Sequence, residues 1–145
     1  MTTSPTYITG TIQAQAYRVL REHVYSVLQR YDLTPTYWSM LGIITQARDG
    51  VRQVDIANGL KVKAPLVTGM AQELSARGLI QSARNQFDGR AKLLALTPAG
   101  RKLVKAVEQE LDGHLRQLLT GITDEEILTY HKVLQAIVSN DIIVK

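Results

Sequence analysis

Residues 53–96 run QVDIANGLKVKAPLVTGMAQELSARGLIQSARNQFDGRAKLLAL, and the order of signals in this stretch sets the architecture. Gln53 to Gly59 suits a short helix with Val54, Ala57 and Leu60 on one face. Lys61 to Ala64 makes a turn, and Pro65 fits the first turn of a second helix, where a missing N–H leaves no hydrogen bond unmade. In that helix Val67, Met70, Ala71 and Leu74 fall on one side, and Gly78 supplies a left-handed stop. Two short helices joined by a tight turn form a helix-turn-helix. Leu79 to Arg84 and Ala91 to Leu96 then have strand character, and the Asp88-Gly89 step between them is a hairpin signal. A hairpin directly behind the second helix is a wing.

On the N-terminal side, Ile12, Ala16, Val19, Leu20, Val24 and Val27 recur at helical spacing from Ile12 to about Tyr31. Thr34-Pro35 is a cap followed by proline, opening a helix to about Arg48 with Trp38, Leu41 and Ile44 inward and Met40 on the flank. Asp49-Gly50 closes it. On the C-terminal side, Thr97-Pro98 repeats the signal ahead of a long helix through Leu103, Val107, Leu111, Leu115 and Leu118 to about Thr120. Thr123 and Glu126 form a capping box before Ile127, Tyr130, Val133, Leu134 and Ile137, so a last helix starts near Asp124. The expected fold is mainly α with a small β-hairpin wing (α+β). It is a single domain over 1–145, with a winged helix-turn-helix core at 33–97 and long terminal helices at 8–31 and 98–145. So small a core cannot bury those terminal helices or the apolar Ile142-Ile143-Val144 tail. They are expected to pack on each other and on a second copy, as dimerisation helices.

A chain of 145 residues, 45% hydrophobic and 21% charged, fits one ordinary domain and excludes intrinsic disorder. No apolar run approaches the ~20 residues of a membrane helix, and Met1 to Gly10 lacks the form of a secretion signal, so a cytoplasmic location is expected. The absence of cysteine excludes disulfides, thiolate metal sites and thiol-based oxidant sensing. Between Arg52 and Lys92 seven basic residues face three acids, which accounts for the whole net charge of +4, the remainder being balanced. A basic centre between neutral arms suggests a polyanion-binding module.

The ordered series Leu33-Thr34-Pro35 with Trp38 and Leu41, Gln53-Val54-Asp55-Ile56-Ala57, Leu66-Val67-Thr68, Leu74, Gly78-Leu79-Ile80, Asp88-Gly89-Arg90 and Leu96-Thr97-Pro98-Ala99-Gly100 resembles the MarR family of transcriptional regulators. The resemblance spans about residues 33 to 104. It implies a homodimer that lays the helix after Lys63 into a major groove of double-stranded DNA, while the wing reaches the neighbouring minor groove. Many relatives are repressors released by small aromatic or phenolic anions, some bind metal, and others use a cysteine that this chain lacks. An alternative reading is a winged-helix protein-interaction module with no operator of its own. The centred charge and the Asp-x-Arg wing argue against it.

On the second helix of the pair, the arc opposite the core presents Pro65, Thr68, Gly69, Gln72 and Ala76. Gln72 can pair bidentately with adenine, and Thr68 can touch a thymine methyl or a phosphate. Gly69, where many relatives carry a larger residue, either permits close approach to DNA or is tolerated drift. Arg90 is expected in the minor groove with Asp88 holding its guanidinium, an ordinary surface ion pair being the alternative. Arg52, Lys61, Lys63, Arg84 and Lys92 are candidate phosphate contacts, each with an ordinary solvated role as the alternative. Ser82 stands where relatives often place arginine. Tyr17, Tyr25, Tyr37, Trp38 and Met40 could line an aromatic-ligand pocket or simply pack in the core. His23, His114 and His131 lack metal-ligand spacing, and no nucleophile-base set, Gly-rich phosphate loop or paired carboxylates stand out. No cofactor, metal or catalytic activity is expected.

Overall fold

Thr34 opens the helix around which the core assembles: its hydroxyl oxygen accepts from the Tyr37 amide at 3.2 Å, and Pro35 occupies the first turn. The computed structural model describes residues 6–84 and 92–144. The chain runs α1 (Thr6–Arg30), α2 (Pro35–Gln46), α3 (Gln53–Leu60), α4 (Ala64–Ala76), β1 (Ile80–Arg84), β2 (Lys92–Leu96), α5 (Pro98–Leu118) and α6 (Asp124–Val144). This is the mainly α architecture with a two-stranded wing expected of a winged helix. Among the described residues, no helix is long and apolar enough to cross a membrane. Backbone contacts divide the chain into two compact units, Met1–Asp112 and Gly113–Lys145, with the division inside α5.

The first unit holds the core. Val27 and Leu28 of α1, Met40, Leu41 and Ile44 of α2, Ile56 and Ala57 of α3, and Val67, Met70, Ala71 and Leu74 of α4 are buried together with Leu79, Ile80, Leu94, Leu96, Val104 and Val107. The inward face of α4 is the one expected. Two other faces differ. In α3, Val54 is 49% exposed and Ile56 is buried instead, because at 100° per residue the pair stand about 200° apart and a two-turn helix offers only one inward arc. In α2, Met40 lies wholly inside, whereas Trp38 is half-buried, too large a ring to be enclosed by this small unit. Helix α1 begins six residues before Ile12, and α2 stops at Gln46 rather than Arg48.

Helix α4 ends in a Schellman motif: Leu79 N donates to Leu74 O at 3.0 Å, Gly78 N to Ser75 O at 2.9 Å, and Gly78 takes φ +75°. The antiparallel hairpin follows at once, in a register from Ile80 opposite Leu96 to Arg84 opposite Lys92. Val51 adds a short third rung that periodicity does not reveal, exchanging two backbone hydrogen bonds with Leu94 (3.0 and 2.8 Å). Thr97 then joins three elements. Its hydroxyl donates to Gly78 O at 2.5 Å and accepts from Gly100 N at 3.0 Å, while its own amide donates to Leu79 O.

In the second unit a turn with Gly121 at φ +87° leads to α6, which Thr123 caps by accepting from the Glu126 amide at 3.1 Å. Asp124, Glu125 and Glu126 occupy its first turn, where the helix dipole favours acids. Leu128, Tyr130, Val133, Leu134, Ile137 and Val138 of α6 are exposed.

Candidate nucleic-acid interface

The turn between α3 and α4 is built on Lys61, which takes the left-handed conformation (φ 55°) as its amide bonds to the Ala57 and Asn58 carbonyls. Val62 N closes the same turn onto Ala57 O at 3.0 Å. Lys63 is the N-cap residue of α4, and both lysines are exposed at the end of the helix where a positive dipole already favours anions. The arc of α4 formed by Pro65, Thr68, Gly69, Gln72 and Ala76 is exposed throughout. A Cβ added at Gly69 would meet no atom within 4 Å.

Two helix starts are tied together here. Thr68 Oγ1 donates to Gln53 Oε1 at 2.9 Å and lies 3.2 Å from Ala64 O, so its one proton is engaged within the protein. Gln53, the first residue of α3, therefore belongs to this surface although sequence reasoning did not single it out as a site residue. Its position in the helix opening was the available signal. Arg52, just before it, is not a lone cation: Nε and Nη2 reach the Asp55 carboxylate at 2.9 and 3.2 Å. Arg77, counted in the basic centre, donates to the carbonyls of Tyr31 and Asp32 at 2.9 Å each, clamping the α1–α2 turn to the end of α4.

Lys92 is exposed at the start of β2, opposite Arg84 in the hairpin register, and Ser82 is exposed opposite Leu94. Asp88 and Arg90, with Gly89 between them, lie outside the described residues.

The five aromatic-pocket candidates do not converge. Tyr17 and Tyr25 meet on α1, where with Leu20, Arg21, Val24 and Pro35 they line an open hollow of about 420 Å³. Arg21 lies 5.2 Å over the Tyr25 ring and 3.4 Å from its hydroxyl, contacts that raise the guanidinium pKa. Met40 is instead sealed in the core, and Trp38 packs against it. Tyr37 donates its hydroxyl to Glu73 of α4. That carboxylate, with some burial, pushes the phenol pKa up. Among the described residues, no three His, Asp or Glu side chains gather as a metal site would require.

A helix-turn-helix whose second helix is bare outward, followed by a hairpin and braced by flanking helices, defines a winged helix-turn-helix protein. The model described as MarR family matches residues 31–91, the span from the end of α1 into the hairpin. Over that span the winged helix-turn-helix of this chain matches that of the MarR family. Among solved structures, the transcriptional regulator PA3341 is 28% identical, with a TM-score of 0.75 over 91% of this chain and 96% of that one. CouR from Rhodococcus jostii RHA1, bound to p-coumaroyl-CoA, is 25% identical with a TM-score of 0.76, over 89% of this chain and 90% of that one. A MepR mutant from S. aureus, bound to an oligodeoxyribonucleotide, is 25% identical with a TM-score of 0.68, over 94% and 99% of the two chains.

Proposed function

We propose that this protein is a cytoplasmic transcriptional repressor that binds a pseudo-palindromic DNA operator as a homodimer and is released by a small aromatic anion. The observation that carries the reading is the α3–α4 pair. The outward arc of α4 is exposed and carries no cation, and Lys61 and Lys63 flank its positive end, an arrangement suited to seating a helix between phosphates. The DNA-bound MepR structure supports the operator and the coumaroyl-CoA-bound CouR structure supports an aromatic effector. Exposed Ile12 and Val19 of α1, and Leu128, Val133, Ile137 and Val138 of α6, support association with a second copy. Lys61, Lys63, Arg84, Lys92 and Arg52 act on phosphates, and Arg90 acts in the minor groove.

The test is a binding titration with DNA from upstream of the gene, repeated across salt. The dimer should prefer a site with half-sites ~10 bp apart. Affinity should fall with a log–log slope of about −0.9 per phosphate contacted. Arg90→Ala should cost roughly 1–3 kcal/mol of binding with the melting temperature unchanged. Phenolic acids that raise the melting temperature should also release the DNA, since an effector acts only through its difference in affinity for two states. Equal affinity for random duplex, or binding indifferent to salt, would favour a protein-interaction module instead.

A further inference from the structure

We infer that the operator half-site is read through thymine methyl groups by the first turn of α4, with Leu66 as a specificity-determining residue. This rests on the operator-binding reading above and deepens it. Leu66 is 50% exposed, while the core positions beside it, Val67 and Met70, are at most 5% exposed. It stands about 100° round the helix from Pro65, on the flank of the outward arc, so the first turn presents two adjoining apolar side chains. N-terminal residues of a recognition helix are those that meet base edges. In the major groove the one apolar group a base pair offers is the thymine C5 methyl.

The rest of the helix points the same way by what its donors are doing. Guanine is read best by an arginine or lysine fork to O6 and N7. No lysine or arginine occurs from Ala64 to Ala76, and Arg77 is engaged by the Tyr31 and Asp32 carbonyls. The single charge on α4, Glu73, accepts from Tyr37. The Thr68 proton is shared between Gln53 and Ala64, and Gly69 has no side chain. Ser75 is exposed too but lies in the last turn of α4, away from the N-terminal end that meets base edges, which leaves the exposed Gln72 amide, whose bidentate match is adenine. Under α4 the half-site is therefore built of A·T pairs, with thymine methyls against Leu66 and Pro65 and an adenine against Gln72.

The test begins with selection of binding sites from random duplex by the full-length protein. Single thymines of the selected site are then replaced by deoxyuridine, which removes only the methyl. Guanines are replaced by 7-deazaguanine, which removes the N7 acceptor. At fixed salt, one or two deoxyuridine positions per half-site should weaken the wild-type protein about fourfold each, the loss expected for one buried methyl. Leu66→Ala, whose melting temperature should match wild type because the side chain lies outside the core, should bind thymine and deoxyuridine equally at one of these positions, while a loss at the position facing Pro65 persists. Deoxyuridine effects of the same size in both proteins, no deoxyuridine effect at all, or a 7-deazaguanine loss larger than any deoxyuridine loss would overturn the inference while leaving a sequence-specific regulator intact. Failure to enrich any sequence would overturn the operator-binding reading itself.

Discussion

A Cβ built on Gly100 would overlap the Leu79 carbonyl oxygen, the same oxygen that accepts from Thr97 N. Helix α5 can therefore approach the hairpin only because this position lacks a side chain, and the obstruction is backbone, which cannot swing aside. Gly100→Ala should lower stability by about 2–4 kcal/mol in urea denaturation, well beyond an ordinary surface substitution. Gly69 contrasts with it. It sits in a helix with no neighbour to meet a methyl, so Gly69→Ala should raise stability by about 0.5–1 kcal/mol through propensity alone. Under the operator-binding reading the same methyl would stand between α4 and the groove, and affinity for the selected duplex should fall. A variant that melts higher and binds equally well would show Gly69 to be drift. Both glycines are visible in the sequence, but only the packing around them separates a steric requirement from an open surface.

Two tyrosine–carboxylate contacts join helices within the first unit. Tyr31 at the end of α1 donates to Glu110 of α5, which also takes the Arg30 guanidinium, and Tyr37 of α2 donates to Glu73 of α4. Each phenol pKa is raised above its ordinary 10.0, first by that hydrogen bond, then by burial and by the negative charge of the carboxylate. A folded pKa above the unfolded one means that the neutral phenol is favoured by folding. Its contribution is complete below about pH 10 and is lost as pH rises through the folded value. Melting temperature should thus fall as pH rises above about 10, and the Tyr31→Phe, Tyr37→Phe double variant should show a shallower fall. An identical slope in the double variant would assign the alkaline loss to other groups. The helices themselves were legible: Thr34, Thr97 and Thr123 mark three starts correctly, because capping is a local bond between a side chain and the next turn. The links between helices were not, since Tyr37 and Glu73 lie 36 residues apart and only the packing of α2 against α4 brings them together.

For the molecule as a whole, the exposed leucines, valines and isoleucines of α1 and α6 predict that the isolated chain is not the working species. Light scattering at micromolar concentration should report twice the chain mass. Charged substitutions at Ile137 and Val138, both solvent-facing in the single chain, should shift it toward monomer and lower operator affinity together. A wild-type protein that stays monomeric would remove the basis for a two-headed grip on a palindrome.

What the sequence determined by itself was whatever depends on neighbours along the chain. The helix-turn-helix, the wing strands, the inward stripe of α4 and its glycine stop follow from a period of 3.6, a period of 2 and the special dihedrals of Pro and Gly. The exposed arc of Pro65, Thr68, Gly69 and Gln72 followed in the same way, as the complement of the buried stripe. Tertiary structure decided which charges and hydroxyls are already engaged. Arg77 serves two distant carbonyls, Arg52 is shared with Asp55, Thr68 is bonded to Gln53, and Met40 is taken into the core. A side chain's chemistry is written in the sequence, but whether its donors or its surface remain available to a partner depends on which remote atoms the fold brings within about 3 Å of it.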